Sequence, residues 1–232
     1  MQGADGTPTM RIDLLVESAI VDATAPFGVN ILSEEVGFVD RASRFTLVVD
    51  PLDGSANAAA GVPLACFSAA LADDKQFVQA LTVWLETGRR WEAVTGSSGP
   101  NRTTGASTIA GSAISMLRPH PRNRDAWMAI SDRAARVRIL SCSTLEACLV
   151  AQGSTDAFLD AGSDTHRLVD LAAAAVLLPA CGGVLADVFE RPIVFDLDQT
   201  RRWSGIAAAS AALAAELAEV VRNSAGSLPS FT

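Results

Sequence analysis

Residues 45–57, with the sequence FTLVVDPLDGSAN, constrain this chain more than any other segment. The apolar and β-branched residues at 46–49 predict a buried strand. The strand is expected to stop at Asp50, because Pro51 has no N–H to donate and favours extended geometry in the residue before it. Asp50 and Asp53 would then lie at the mouth of a strand, where a chain reversal can bring their carboxylates together.

The same stretch supplies a set of hard oxygen donors. Two carboxylates, the Leu52 carbonyl and the Ser55 hydroxyl suit Mg²⁺ better than a softer metal. If Gly54 opens a helix, the N–H groups of its first turn add an anion site beside the metal. The alternative is structural, since an Asp-Pro turn followed by a capping aspartate is common and a short motif needs context. Taken alone, the stretch leaves both interpretations open.

Composition excludes several classes of function. The 232 residues are enough for one large domain or two closely packed lobes. A net charge of −8 and a single lysine, Lys75, argue against a nucleic-acid surface. An acidic enzyme can still take a phosphate substrate if metal ions invert the local potential. The most apolar run, residues 168–189, is broken by an aspartate, a proline and a Gly-Gly pair, so no membrane span is expected.

The cysteines and histidines form no recognisable zinc, redox or catalytic-triad motif. The four cysteines lie in apolar segments without a CxxC pair and are expected to be buried, reduced thiols of a cytoplasmic protein: Cys66, Cys142, Cys148 and Cys181. His120 and His166 lie in polar segments, and we expect neither to be catalytic. The first twelve residues are polar and rich in glycine and proline, so no signal peptide is expected.

The pattern of apolar residues predicts alternating helices and strands. In the first half we expect a helix from Met10, a strand at 29–32, an antiparallel meander at 65–72, 77–84 and 90–94, and a loop at 96–108. The second half predicts strands at 113–117, 138–140, 156–160 and 184–189, and helices at 124–136, 143–152, from 169 to near 182, and 206–222.

Two acidic positions depend on these elements. Glu34 and Glu35 follow the strand at 29–32, and a neighbouring strand could bring Glu34 beside Asp50. Asp170 lies near the start of an alanine-rich helix, where negative charge is favourable on structural grounds alone. Its apolar neighbours make full solvation of the carboxylate less favourable, which favours a ligand role.

Four segments, taken in order, resemble the inositol monophosphatase superfamily. They are GADGTPT at 3–9 followed by Asp13 and Glu17, SEE at 33–35 in place of Gly-Glu-Glu, DPLDGS at 50–55, and VDLAA at 169–173 followed by Gly182-Gly183. Their order and spacing cover nearly the whole chain. The segments around Asn57 and around Arg167 are most similar to the archaeal-type branch, whose members cleave inositol 1-phosphate and fructose 1,6-bisphosphate.

The resemblance implies a fold and an assembly. The fold is an α/β layered sandwich, αβαβα, of the sugar-phosphatase type, usually found as a homodimer. Residues 1–110 would form a lobe with the antiparallel sheet and the DPLDGS motif, and residues 111–232 an α/β lobe carrying Asp170. The two lobes would make one compact unit.

The resemblance also assigns roles. It implies that two or three Mg²⁺ ions are bound by Glu34, Asp50, the Leu52 carbonyl, Asp53 and Asp170. Ser55 and Glu34 would position the attacking water, and Asp53 belongs to the same catalytic set. Substrate would meet Gly54, Ser55, Ser143, Asp160 and Asp170. Asp13 and Glu35 would contact the metal ligands without binding the first two ions, or would lie near a weaker third metal.

The implied activity is hydrolysis of a small phosphorylated polyol, sugar or nucleoside. Metal-activated water attacks phosphorus in line and a second Mg²⁺ stabilises the leaving alkoxide. Inhibition by lithium is a further expectation. A non-catalytic scaffold relative and a phosphatase dedicated to one specialised intermediate are the alternatives.

Three departures bear on those alternatives. Val169 stands where the family has tryptophan, and Ser141-Cys142-Ser143 stands in place of Gly-Ser/Thr-Ala near the substrate pocket. The helix with which family members begin is missing ahead of Met10, so we expect a truncated start or another cover for that face, such as a tighter dimer.

Overall fold

The computed structural model describes residues 3–4 and 11–225, which form five layers in the order helix, sheet, helices, sheet, helices. This is the layered α/β sandwich that the family resemblance implies. The proposed start of the first helix at Met10 and most of the opening GADGTPT segment, residues 5–9, lie outside the described residues.

The first sheet has six strands in the order β2-β1-β3-β4-β5-β6. The strands are β1 (Asn30–Ser33), β2 (Gly37–Val39), β3 (Phe45–Asp53), β4 (Cys66–Asp73), β5 (Gln76–Trp84) and β6 (Arg90–Val94). Strands β4 to β6 form the predicted antiparallel meander, β3 extends it by pairing antiparallel with β4, and β1 pairs with β3 in parallel. The short edge strand β2 falls in a segment where the sequence predicts no element.

The second sheet has five strands in the order β10-β11-β9-β7-β8. They are β7 (Ala113–Met116), β8 (Arg136–Arg138), β9 (Ala157–Leu159), β10 (Val184–Asp187) and β11 (Gly205–Ala208). Strand β7 is parallel to both β8 and β9, whereas β11 is antiparallel to β9 and β10.

The helices fill the three remaining layers. They are α1 (Arg11–Thr24), α2 (Ser55–Ala59), α3 (Arg124–Arg133), α4 (Ser143–Ala151), α5 (Leu168–Leu171), α6 (Ala174–Ala180) and α7 (Ala211–Ala225), with a 3₁₀ turn at Ala25–Phe27. Helix α1 packs on the outer face of the first sheet, and α3 and α7 pack together on the outer face of the second. Helices α4, α5 and α6 lie between the sheets, where Leu145 and Leu177 bury Cys66 and Trp91.

Several predicted elements are wrong in extent or type, among them the helix predicted at 124–136 and the strand predicted at 138–140, which the structure places at 124–133 and 136–138. Residues 206–208, predicted as the start of a helix, belong to strand β11, because this buried segment pairs with a strand on each side. The helix predicted from 169 divides into α5 and α6. Strand β3 continues through Pro51 to Asp53 instead of stopping at Asp50, because an irregularity in its pairing with β4 accommodates the proline.

Helix α1 buries two of its three acids and exposes part of its apolar side. Asp13 and Glu17 are each 4% exposed, whereas Leu15 is 62% exposed. The backbone N–H of Glu35 donates to Glu17 at 3.3 Å, which explains why this acidic face turns inward. Beside α1, the outer face of the first sheet stays open as a groove lined by apolar side chains, among them Leu47, Phe67, Leu71, Leu81 and Val94.

Two other features of the chain are relevant to its class. Among the helices that the structure describes, none combines the length and the apolar character needed to cross a bilayer. All four cysteines are buried, as expected, and carry free thiols.

Candidate active site

The parallel pairing of β1 with β3 brings the first two predicted ligands together. Ser33 is opposite Val49 in this register, so Glu34 and Asp50, the next residues along the two strands, leave the sheet at the same edge. The expectation that a neighbouring strand places Glu34 beside Asp50 is therefore confirmed. Glu34 also raises the pKa of Asp50 through charge repulsion, as expected for two carboxylates in close proximity.

Asp50 is fully buried within an irregular part of β3. Asp50 pairs with Ser68 and Asp53 with Cys66, so β3 holds one more residue than β4 between these pairs, which is the signature of a β-bulge. The Leu52 N–H donates to Oδ1 of Asp50 at 3.1 Å, but Oδ2 has no hydrogen-bond partner. Burial is the main cause that raises the pKa of Asp50 well above its usual range, and the charges of Glu34 and Asp53 add to it.

Asp53 is held by the first turn of α4. Oδ2 of Asp53 accepts hydrogen bonds from the Thr144 N–H at 2.6 Å and the Thr144 hydroxyl at 2.8 Å, and the Cys142 thiol lies 3.4 Å away. Burial and repulsion by Asp170 raise the pKa of Asp53 despite these bonds. The contact joins the DPLDGS motif to a helix that lies between the sheets.

Asp170 and Glu34 are bridged by Arg167. The Arg167 guanidinium forms ion pairs with Glu34 and, at 3.0 Å, with Asp170. The backbone N–H of Arg167 also donates to Asp170 at 2.6 Å, forming a capping box at the start of α5. Burial works to raise the pKa of Asp170, but the charge and hydrogen bonds of Arg167 hold it below its usual value.

The predicted phosphate and substrate residues lie at the starts of two helices. Gly54 precedes α2 with φ +83°, and a Cβ at this position would lie 2.5 Å from the Leu64 carbonyl oxygen, so only glycine fits. Ser55 is the first residue of α2 and Ser143 the first of α4, and both are half-buried. Their roles toward a substrate stay predictions.

Asp160 is placed differently from the other acids. Its carboxylate is fully buried and accepts bonds from the Ser163 N–H and hydroxyl and from the Thr165 N–H, at 2.6–2.8 Å. These bonds organise the loop after β9. The substrate role of Asp160 stays a prediction, and its direct contacts in the structure are with this loop.

His166 does not lie in an exposed polar loop. It is buried beside Phe158, and its Nδ1 accepts the Gly205 N–H at 3.1 Å. An isolated antiparallel β-bridge pairs His166 with Trp203, just before β11, and this pairing accounts for its burial.

Two contacts within the candidate site escape sequence reasoning. Thr144 is separated from Asp53 by 91 residues, and Arg167 from Glu34 by 133 residues. The spacing of Arg167, three residues before Asp170, is the signal that could have identified it, because it is that of a capping box.

The donor set fits Mg²⁺. Glu34, Asp50, Asp53 and Asp170 offer hard carboxylate oxygens, and the unpaired Oδ2 of fully buried Asp50 is an acceptor that a cation would satisfy. Within the described ranges, no three Asp, Glu, His or Cys side chains converge closely enough to enclose an ion in this conformation. A bound ion would therefore require some side-chain adjustment.

The chain matches a family model and several known proteins. The family model described as the Inositol monophosphatase family matches residues 2–225. A fructose-1,6-bisphosphatase/inositol-1-monophosphatase of Thermococcus kodakarensis is 31% identical over 225 residues, covering 94% of this chain and 84% of the relative.

Solved structures show the same fold. A Pyrococcus horikoshii protein described as having similarities to inositol-1 monophosphatase superposes with a TM-score of 0.81 at 28% identity, covering 93% of this chain and 84% of that one. An IMPase/NADP phosphatase complexed with Mg²⁺ and phosphate superposes with a TM-score of 0.79, covering 91% of this chain and 81% of that one; at 15% identity it supports the fold alone. The family match and the buried acids of β1, β3 and α5 lead to one conclusion: this chain belongs to the inositol monophosphatase family.

Proposed function

We propose that this chain is a Mg²⁺-dependent phosphomonoesterase that hydrolyses a small phosphorylated polyol, sugar or nucleoside. The observation that carries the proposal is the gathering of four acids after β1, in β3 and on α5, of which Glu34, Asp50 and Asp170 are buried and Asp53 is half-buried. A buried cluster of like charges is costly to fold unless a cation balances it, which favours a functional reason for its presence. The choice of Mg²⁺ rests on the hard carboxylate oxygens of these acids, which are the ligands that this ion prefers.

The residues of this chain would divide the work. Glu34, Asp50, the Leu52 carbonyl, Asp53 and Asp170 would hold two or three ions. When bound, Mg²⁺ lowers the pKa of water and offsets negative charge on the leaving oxygen. Ser55 and Glu34 would position the attacking water.

Two contacts support this division. Thr144 orients Asp53 through two hydrogen bonds, and the backbone N–H of Arg167 donates to Asp170. The N–H groups of Gly54 and Ser55 would bind the phosphate, with Ser143 and Asp160 toward the rest of the substrate.

The substrate class remains broader than one compound. The Thermococcus kodakarensis relative carries fructose 1,6-bisphosphate and inositol 1-phosphate activities in its name, so these are the first candidates. The segment Ser141-Cys142-Ser143 differs from the family pattern next to Asp53, which keeps a nucleoside phosphate or a specialised intermediate among the candidates.

The test is phosphate release from a panel of monoesters with and without Mg²⁺. The panel holds inositol 1-phosphate, fructose 1,6-bisphosphate, adenosine 3′,5′-bisphosphate, adenosine 5′-monophosphate and several sugar phosphates. We expect Mg²⁺-dependent release, with one substrate well ahead of the rest. The variant Asp53→Asn should lose at least roughly a thousandfold in rate while staying folded, because a metal ligand contributes several kcal/mol of transition-state stabilisation.

A matched variant controls for the loss of one carboxylate. Asp73→Asn removes an aspartate at the end of β4 that pairs with Arg44 at the surface, and it should keep normal activity. Near-normal turnover in Asp53→Asn would refute the site. No release by a folded sample in Mg²⁺ would instead favour the scaffold alternative.

A homodimer and a cytoplasmic location are further parts of the proposal. The open apolar groove beside α1 is a surface that a second copy could cover, and four unpaired cysteines favour a reducing compartment. Light scattering coupled to gel filtration tests the dimer, and a mass of 24.1 kDa, that of one chain, would contradict it.

A further inference from the structure

Arg167 lies between two acids that belong to different parts of the fold. Glu34 follows β1 in the first sheet, whereas Asp170 is on α5 between the sheets. The Arg167 side chain is 22% exposed, and the paired side chains of Glu34 and Asp170 are 11% and 7% exposed. The guanidinium is therefore largely withdrawn from water, where its charge acts on the acids with little screening.

The contacts of Arg167 occupy most of the oxygen lone pairs that Asp170 could donate to a metal. Oδ2 of Asp170 accepts the backbone N–H at 2.6 Å and the Nε–H at 3.2 Å, and Oδ1 accepts Nη2–H at 3.0 Å. Each carboxylate oxygen has two lone pairs. Oδ2 is thus saturated and Oδ1 keeps one lone pair, so a cation that binds Asp170 must share Oδ1 with the guanidinium or replace it.

Electrostatics gives the guanidinium a second role. Asp50 feels the negative charges of Glu34, Asp53 and Asp170 together with the positive charge of Arg167. A cation at this position offsets the repulsion among acids that burial would otherwise make costly. A Mg²⁺ ion bound by the same acids does the same thing, and two cations in one cluster repel each other.

We propose that Arg167 is an internal counter-ion that competes with Mg²⁺ for Glu34 and Asp170. It stabilises the acid cluster in the metal-free protein and gives up part of its contacts when the cluster takes up metal. Arg167 thereby weakens the affinity for Mg²⁺ and makes metal loading and side-chain rearrangement one event. The inference rests on the metal site of the proposed function.

The experiment compares Mg²⁺ binding by wild type and Arg167→Gln without substrate, by calorimetric titration, and thermal stability in EDTA. We expect the variant to be less stable in EDTA and to bind Mg²⁺ about fivefold more tightly or better, a coupling of ordinary size between two sites. Weaker or unchanged Mg²⁺ affinity in the variant would overturn the proposal, since it would make Arg167 an orienting group instead of a competitor.

Two more variants keep the test sharp. Arg167→Lys retains the charge but cannot reach both acids with a planar fork, so it should fold and bind Mg²⁺ with an affinity between those of the other two proteins. Equal affinity for wild type and the lysine variant would contradict competition if Arg167→Gln does not fold. Arg191→Gln breaks a similar ion pair with Asp164 and Asp187, and should lower stability without changing Mg²⁺ affinity.

The outcomes separate this inference from the proposed function. If wild type binds Mg²⁺ and only the order of affinities is wrong, competition by Arg167 fails and the phosphatase proposal stands. If neither wild type nor any variant binds Mg²⁺, both are overturned.

Discussion

Asp50 shows how one residue can be unfavourable for folding and still be explained by function. It is fully buried, one carboxylate oxygen has no partner, and burial together with its acidic neighbours raises its pKa well above the usual range. A folded-state pKa above the unfolded value means that the folded protein holds a proton that the unfolded chain releases. Stability from this group is therefore full below the unfolded pKa and lost as pH rises toward the folded one.

The variant Asp50→Asn should reverse that loss. In EDTA we expect it to be more stable than wild type by about 1–2 kcal/mol near neutral pH, a typical gain when a strained functional group is removed. The advantage should grow as pH rises above the ordinary aspartate value of 3.8. Thermal unfolding across a pH series checks this. A variant that is less stable than wild type at every pH would contradict it, and Mg²⁺ binding should be lost in either case.

Gly54 is a second residue whose identity is determined by its surroundings, because only glycine fits there. We expect Gly54→Ala to cost about 1–3 kcal/mol for the left-handed backbone alone, and more for the contact with the Leu64 carbonyl. Gly88→Ala is the matched control, because Gly88 also has a positive φ of +70° but a Cβ there meets open space. Urea unfolding of both variants measures the difference. Equal losses would show that the close approach at Gly54 carries no cost.

Among the elements, the segment between β8 and α4 depends on side chains from two directions. Ser141 has φ +58°, an uncommon conformation for a residue other than glycine. Asn57 on α2 donates its amide to the carbonyls of Leu140 and Ser141, at 2.9 and 3.2 Å. From inside the protein, Glu146 accepts the Leu140 and Cys142 N–H groups at 3.3 and 3.4 Å. This segment leads directly to Thr144, so its geometry positions the group that orients Asp53.

Burial raises the pKa of Glu146 to about 8, against an ordinary value of 4.5. Because the folded-state pKa is the higher one, the free energy of unfolding of wild type should decrease as pH rises from about 4.5 to about 8. Glu146→Gln should remove this contribution to the slope. Urea unfolding in EDTA over that range measures it, with the surface variant Glu219→Gln expected to keep the wild-type slope. An unchanged slope in Glu146→Gln would show that Glu146 does not titrate there.

For the whole molecule, the two sheets are joined through the helices between them. Cys66 and Trp91 of the first sheet pack with Leu145 and Leu177 of the helical layer, and the Trp91 indole donates to Gln152 at 3.1 Å. A second cluster joins Val48 of β3 to Leu168 on α5. We therefore propose that residues 1–110 and 111–232 form one folding unit, with the acid cluster assembled across both.

This arrangement predicts a single cooperative unfolding transition. Trp91→Ala should lower the free energy of unfolding by about 3–5 kcal/mol, a typical cost for removing a buried tryptophan. The transition should remain single, because both sheets lose the same shared core. Circular dichroism and tryptophan fluorescence followed during denaturation should coincide. Two separate transitions in wild type would contradict the single unit.

The sequence by itself determined the local chemistry. A buried strand ending in DPLDGS, a glutamate after a second strand and an aspartate at the start of a helix are visible because apolar runs and turn residues act over a few positions. The register of β1 with β3 then places Glu34 beside Asp50 as expected. The antiparallel meander was predictable for the same reason, since its strands are adjacent along the chain and joined by short turns.

Only the tertiary structure decided how distant groups meet. The strand at 205–208 could not be told from a helix, because a short buried apolar run fits either and its partners in β9 and β10 settle the matter. The burial of His166 and the inward acids of α1 likewise depend on neighbouring elements. Arg167 meets Glu34 across 133 residues, a contact created by the packing of α5 against the first sheet. The local sequence pattern identifies the acids of this site, and tertiary packing places the Arg167 guanidinium among them.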